Sequence, residues 1–168
     1  MKFQVRERIF GFGDDFWIVD EHGDRAFFVD GKVLRLHDTL ELKDLDGNEV
    51  ATVHKKVLSI RDAMKVERGG ETVATVRKAL FTPFHEKFTA ELTGTPAEIE
   101  ITGNLIDKEF RMELDGATIA VVSRKWFRVR DTYGVEMADD ADAPLLLAVA
   151  VCVDRLLEHE KEEKDDDD

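Results

Sequence analysis

Short runs in which apolar and polar residues alternate recur along most of the chain, broken by dipeptides containing Gly or Asp. Ala26–Val29, Lys32–Leu36, Val50–His54, Val73–Arg77, Ile99–Thr102, Phe110–Leu114, Ile119–Val122 and Trp126–Val129 are rich in Val, Ile, Thr and Phe, and each has strand length. The breaks at Asp30-Gly31, Asp46-Gly47, Gly69-Gly70 and Asp115-Gly116, with the stretch from Asp20 to Asp24, read as turns. Such pairs tolerate φ > 0, which the primed two-residue hairpin turns require. The chain therefore reads as a series of β-hairpins.

The hairpins repeat. Gly47-Asn-Glu-Val-Ala-Thr-Val-His-Lys55 aligns with Gly70-Glu-Thr-Val-Ala-Thr-Val-Arg-Lys78 and with Gly116-Ala-Thr-Ile-Ala-Val-Val-Ser-Arg124. The glycines stand 23 and 46 residues apart, one and two periods. Arg61-Asp62 and Arg130-Asp131 recur at one offset from their glycines. A solenoid would need a more regular apolar ladder. Ten to twelve hairpin-linked strands more naturally close on themselves and so remove exposed edges, with a β-sandwich as the alternative.

Beyond Asp139 the alternation stops. Asp142-Ala-Pro144 has the acid and the first-turn proline of a helix start. Nine apolar residues follow without interruption, Leu145 to Val153, then Asp154-Arg155 and Leu156-Leu157. A helix apolar on every side must be buried on every side, and this run is too short to cross a membrane. Periodicity alone leaves a central strand open; the Leu/Ala-rich start and the charged sequence beyond favour a helix. The expected fold is mainly β: a closed antiparallel β-barrel of about twelve strands enclosing a hydrophobic helix at about 142–157.

With 168 residues, 43% of them hydrophobic, the chain suits one domain, residues 1–157. Residues 158–168 carry eight acids and two lysines, a net −6 of the total −13, and read as a frayed helix end running into an acidic disordered tail. A body this acidic argues against nucleic-acid binding. The single cysteine, Cys152, allows no intrachain disulfide, and the charged N-terminus lacks a signal's apolar stretch. A cytoplasmic monomer is expected, with no transmembrane segment.

Asp46-Gly-Asn-Glu-Val50, Gly70 to Phe81 and Lys125-Trp-Phe-Arg-Val-Arg-Asp-Thr-Tyr-Gly-Val135 resemble the LURP-one-related family, most closely its short archaeal and bacterial members. That family is similar to the Tubby C-terminal domain and the phospholipid scramblases. The resemblance runs from about Phe3 to Leu157 and implies a twelve-stranded barrel threaded by a C-terminal helix. Tubby relatives bind phosphoinositide head groups and scramblases are associated with lipid redistribution. No binding motif of either maps onto this chain residue by residue, and the scramblases' cysteine clusters have no counterpart here.

The candidate chemistry is a set of basic doublets at equivalent places in the repeat: Lys55-Lys56, Arg77-Lys78 and Arg124-Lys125, extended by Arg128 and Arg130. Gathered on one rim they would hold an anionic lipid head group or another phosphorylated ligand by charge-assisted hydrogen bonds. The competing reading is a rim of solvated ion pairs on a structural or stress-related barrel whose partner is a protein. His22, His37, His54, His85 and His159 show no metal-ligand spacing, so neither metal nor cofactor is expected. Gly11-Phe-Gly13 lacks the third glycine of a dinucleotide loop and reads as a turn. Cys152 lies in the apolar run as a core thiol, and no catalytic motif points to an enzyme.

Overall fold

A computed structural model of the chain describes residues 1–6, 15–30, 39–56, 62–79, 87–128 and 131–166. The twelve strands are β1 (Lys2–Arg6), β2 (Phe16–Asp20), β3 (Arg25–Asp30), β4 (Thr39–Lys43), β5 (Glu49–Lys55) and β6 (Ala63–Arg68), then β7 (Glu71–Lys78), β8 (Lys87–Leu92), β9 (Glu98–Asn104), β10 (Glu109–Leu114), β11 (Ala117–Ser123) and β12 (Thr132–Met137). Each pairs antiparallel with its neighbours in sequence, and β1 closes the ring on β12 with Phe3 opposite Val135. The architecture is a closed barrel, neither sandwich nor solenoid. Helix α1 (Ala143–Asp166) follows β12.

Two of the expected primed turns are present. Gly69 and Gly70 have φ of 57° and 81°, and Asp115 and Gly116 have 52° and 80°. Asp46-Gly47 is different, and corrects the sequence reading: only Gly47 has positive φ, and the loop is longer. The Asp44 amide donates to the Asn48 carbonyl at 2.9 Å, and the Asp44 carboxylate accepts from the Asp46 and Asn48 amides. Asp20 does the same for the His22 and Asp24 amides in the β2–β3 turn. The physical reason is the side chain itself: an Asp before the turn supplies acceptors that stabilise a wider loop. Register shifts lie in β2–β3, β4–β5, β6–β7 and β10–β11, and such bulges bend strands toward closure.

Inside the ring, Leu146 to Val153 are buried at eight consecutive positions, more than two helical turns with no exposed face. Leu145, expected to be enclosed with them, is half-buried at the end where the helix starts. The helix backbone lies closest to β5, β6, β7 and β12. The wall formed by β5–β7 faces inward with Ala51 on β5 and Ala74 on β7, whose small side chains allow that approach. Across the barrel the space is filled by larger buried groups such as Phe16, Ile18, Phe88, Ile101, Phe110 and Met112.

The helix start is fixed by Asp142, whose Oδ1 accepts from the Leu145 amide at 3.3 Å while both its oxygens accept from the Arg68 guanidinium at 2.7 and 2.9 Å. Its far end corrects a second expectation. The chain does not leave helical structure at Glu158: α1 continues to Asp166, and Glu160 packs against β7. A third correction concerns Trp126–Val129, read as a strand, of which Trp126 to Arg128 are described. Trp126 and Phe127 instead turn over the outer face of the sheet against Gly134, where a Cβ would stand 2.8 Å from both rings. The expected strand Lys32–Leu36 lies outside the described residues.

Candidate functional site

The barrel has two unlike ends. The turns of β2–β3, β4–β5, β6–β7, β8–β9 and β10–β11 gather at one end, where α1 begins beside Arg68. At the other end β5, β7 and β11 finish and the acidic half of α1 emerges. The candidate basic residues lie at this second end, here called the mouth.

The repeat places them there by strand parity. Counting from its glycine, each unit puts the fourth and sixth residues inward: Ala51 and Val53, Ala74 and Val76, Ala120 and Val122, all buried. The eighth residue continues the same stripe to the mouth, and it is Lys55, Lys78 or Arg124. The seventh faces outward. His54 Nε2 lies 2.7 Å from Glu67, Arg77 lies 3.6 Å from Glu91, and the Ser123 hydroxyl donates to Glu109 at 2.9 Å. The doublets were therefore out of phase in the sequence reading. Arg77 matches His54 and Ser123, not Lys55, and it sits on the outer wall.

The inward cations meet acids. Lys78 Nζ donates to both oxygens of Glu160 at 2.9 and 3.0 Å, and Lys55 Nζ lies 3.5 Å from Asp62. Arg124 donates its backbone amide to Glu109 at 3.2 Å, and its side chain borders a cleft against α1. The Lys56 amide donates to the Ala63 carbonyl at 2.9 Å. Lys125, with its side chain 80% exposed, stands 3.9 Å from Glu109, and Arg128 is exposed. Arg130 and Arg61 lie outside the described residues, as do His37, His85 and the Gly11–Gly13 turn. The structure thus brings Lys55, Lys78 and Arg124 to one end of the barrel and engages Lys55 and Lys78 with carboxylates.

A fourth mouth cation was missed by sequence reasoning. Lys108 ends the tight turn between β9 and β10 with φ of 56°, an unusual conformation for a side chain of this size. Its ammonium donates to Oδ1 of Asp154 on α1, and the two side chains are only 9% and 10% exposed. Gly103 makes room for this turn: with φ of 137°, a Cβ there would stand 2.6 Å from the Glu109 carbonyl oxygen. The available signal was Asp154 itself, a charge between the apolar run and Leu156-Leu157.

Two clefts flank the emerging helix. One, about 250 Å³, is floored by Phe88 and Leu156 and edged by Lys78 and Glu160. The other, about 330 Å³, opens beside Lys108 and Asp154. Among the described residues no three His, Cys, Asp or Glu side chains are gathered as metal ligands would be, and no helix is long and apolar enough to cross a membrane. Burial pushes the Cys152 thiol far up, which leaves it protonated and a poor nucleophile.

Comparison with known proteins follows the architecture. Bacillus subtilis YxjI is 29% identical over 160 residues, 95% of each chain. LURP-one-related 15 of Arabidopsis thaliana is 26% identical over 157 residues, 83% of this chain and 72% of that one. An X-ray structure of an Arabidopsis thaliana protein superposes with a TM-score of 0.67 at 19% identity, covering 92% of this chain and 91% of the other, which shows a shared fold. The family model for LURP-one-related proteins matches residues 1–154, all twelve strands and α1 as far as Asp154, and the chain belongs to that family.

Proposed function

We propose that the protein is a non-enzymatic interaction barrel whose working end is the mouth, and whose partner is a basic polypeptide. The observation that carries this reading is the Lys78–Glu160 pair. Where an anionic ligand would have to bind, the chain supplies its own carboxylate, and the helix end bearing it is rich in further acids. Coulomb attraction at such a surface favours positive partners and repels phosphates. The reading takes the chain as a cytoplasmic monomer, which its single, buried thiol supports.

A second reading keeps an anionic lipid head group or phosphorylated ligand, held by Lys125 and Arg128. It draws on their exposure on the β11–β12 connection. One pair of measurements separates the two. At low salt, where such attraction is strongest, the full chain is mixed with phosphatidylglycerol vesicles and, separately, with a lysine-rich peptide. The interaction-barrel reading expects the peptide to bind and the vesicles not to; sedimentation with the vesicles would establish the second reading instead.

A further inference from the structure

We propose that Lys78 is an internal competitor for the basic partner: its ammonium takes, on Glu160, the place of a partner's cation, so the Lys78–Glu160 pair is an autoinhibitory clasp. This rests on the reading of the mouth as the surface for a basic polypeptide, and adds how access to that surface is set.

Two lysines of the barrel reach α1, and they do so on different terms. Lys108 meets Asp154 with both side chains nearly buried, which shuts that pair off from a partner. Breaking it would leave an enclosed charge unpaired, so the contact is permanent. Lys78 meets Glu160 with the two side chains 40% and 26% exposed. Glu160 lies six residues beyond Asp154, about 9 Å further along the helix. The first pair therefore pins the buried stretch of α1. The second holds the acid-bearing extension and stays within reach of a competing cation.

The surroundings of the clasp favour exchange. Asp62, Glu160 and Glu163 line the cleft, with Lys78 as the one cation among its described lining residues. Glu160 and Glu163 stand one turn apart on α1, on neighbouring positions of its surface. An incoming lysine meets the same two Glu160 oxygens that Lys78 holds at 2.9 and 3.0 Å. An ammonium is a compact charge on a flexible stem, so one lysine replaces another without a new geometry. A partly exposed pair is weak enough to be displaced. While closed it still reduces the fraction of molecules whose Glu160 is open, and the apparent affinity falls by that fraction. Lys55 supplies a natural control: it also ends a repeat strand at the mouth, but its ammonium lies 3.5 Å from Asp62, beside β6, and not against α1.

The test titrates the full chain calorimetrically with an octalysine peptide at about 0.15 M salt, where diffuse attraction is screened. Lys78→Met keeps the length of the side chain and removes its charge. It is expected to tighten peptide binding about threefold to fivefold, the range that release of a partly exposed pair allows. Lys55→Met removes the same charge from the mouth without touching the clasp, and is expected to change the affinity by less than about twofold. In a Glu160→Gln background the gain from Lys78→Met is expected to vanish, since the contested carboxylate is gone. A gain from Lys78→Met no larger than that from Lys55→Met, or one that survives in the Glu160→Gln background, overturns the clasp and leaves the interaction-barrel reading intact. A peptide that binds neither wild type nor Lys78→Met overturns both.

Discussion

Lys78 and Glu160 lie 82 residues apart in sequence, yet the lysine ammonium sits 2.9 and 3.0 Å from the two carboxylate oxygens. The contact joins the last inward residue of a repeat strand to the helix that the strand encloses. It also ties the helix beyond Leu157, described as far as Asp166, to the barrel wall. Both partners are partly exposed, so the pair is worth at most about 1 kcal/mol. Glu160→Gln is expected to lower the unfolding free energy by less than that, with the difference shrinking as salt is added. Chemical denaturation at two ionic strengths measures it; a salt-independent loss of several kcal/mol would contradict the assignment.

The repeat was visible in the sequence, and its physical meaning was half visible. The glycine, the inward Ala and Val and the terminal cation follow one parity, so Ala51, Ala74 and Ala120 were legible as core. The error lay in pairing residues as doublets. A strand sends neighbours to opposite faces, and Arg77-Lys78 begins one position earlier in its unit than Lys55-Lys56 or Arg124-Lys125 does. The Lys108–Asp154 pair was not legible, because its partners belong to a turn and a helix with no shared sequence pattern. The acid-rich end of α1 looked disordered for a related reason: the tertiary contact that holds it, from Lys78 to Glu160, joins a strand and a helix 82 residues apart.

Gly103 and Gly47 both have positive φ, but they differ in what surrounds them. An added Cβ at Gly103 would meet the Glu109 carbonyl oxygen at 2.6 Å and Phe110 Cα at 2.7 Å, both backbone atoms, whereas at Gly47 it would meet nothing within 4 Å. Gly47→Ala is expected to cost about 1 kcal/mol from backbone conformation alone. Gly103→Ala is expected to cost more than about 2 kcal/mol and to disturb the turn that carries Lys108. Equal melting temperatures for the two variants would contradict this account.

Asp44 links turn geometry to pH. Its carboxyl is held below the usual value of 3.8, first by the hydrogen bond from the Asn48 side chain and then by the Asn48 and Asp46 amides. A depressed folded-state pKa contributes stability that is present above the unfolded value and lost as pH falls through the folded one. The Asp44→Asn variant, which cannot ionise, is therefore expected to melt below wild type at neutral pH. The gap should close as pH falls below about 4. A melting-temperature difference that stays constant from neutral pH to about pH 2 would show that Asp44's charge does not stabilise the turn.

The helix core makes the strongest demand on stability. Leu147 is fully buried within the closed ring, where surrounding strands cannot easily collapse into a void. Leu147→Ala is expected to cost roughly 2–5 kcal/mol, read as a shift in the denaturant midpoint. That is a large share of a typical domain stability of about 5–15 kcal/mol. A loss below about 1 kcal/mol would mean the site is looser than its burial implies.

An aspartate scan from Leu146 to Val153 tests the central claim most directly, that α1 is enclosed on every side. Each position is buried, so an introduced carboxylate would find neither water nor a partner. The enclosed helix gives loss of cooperative unfolding, or a severe drop in melting temperature, at all eight positions with no helical periodicity. If positions three or four apart on one face accept Asp with unchanged melting, α1 has a solvent-facing side and the helix-filled barrel is wrong.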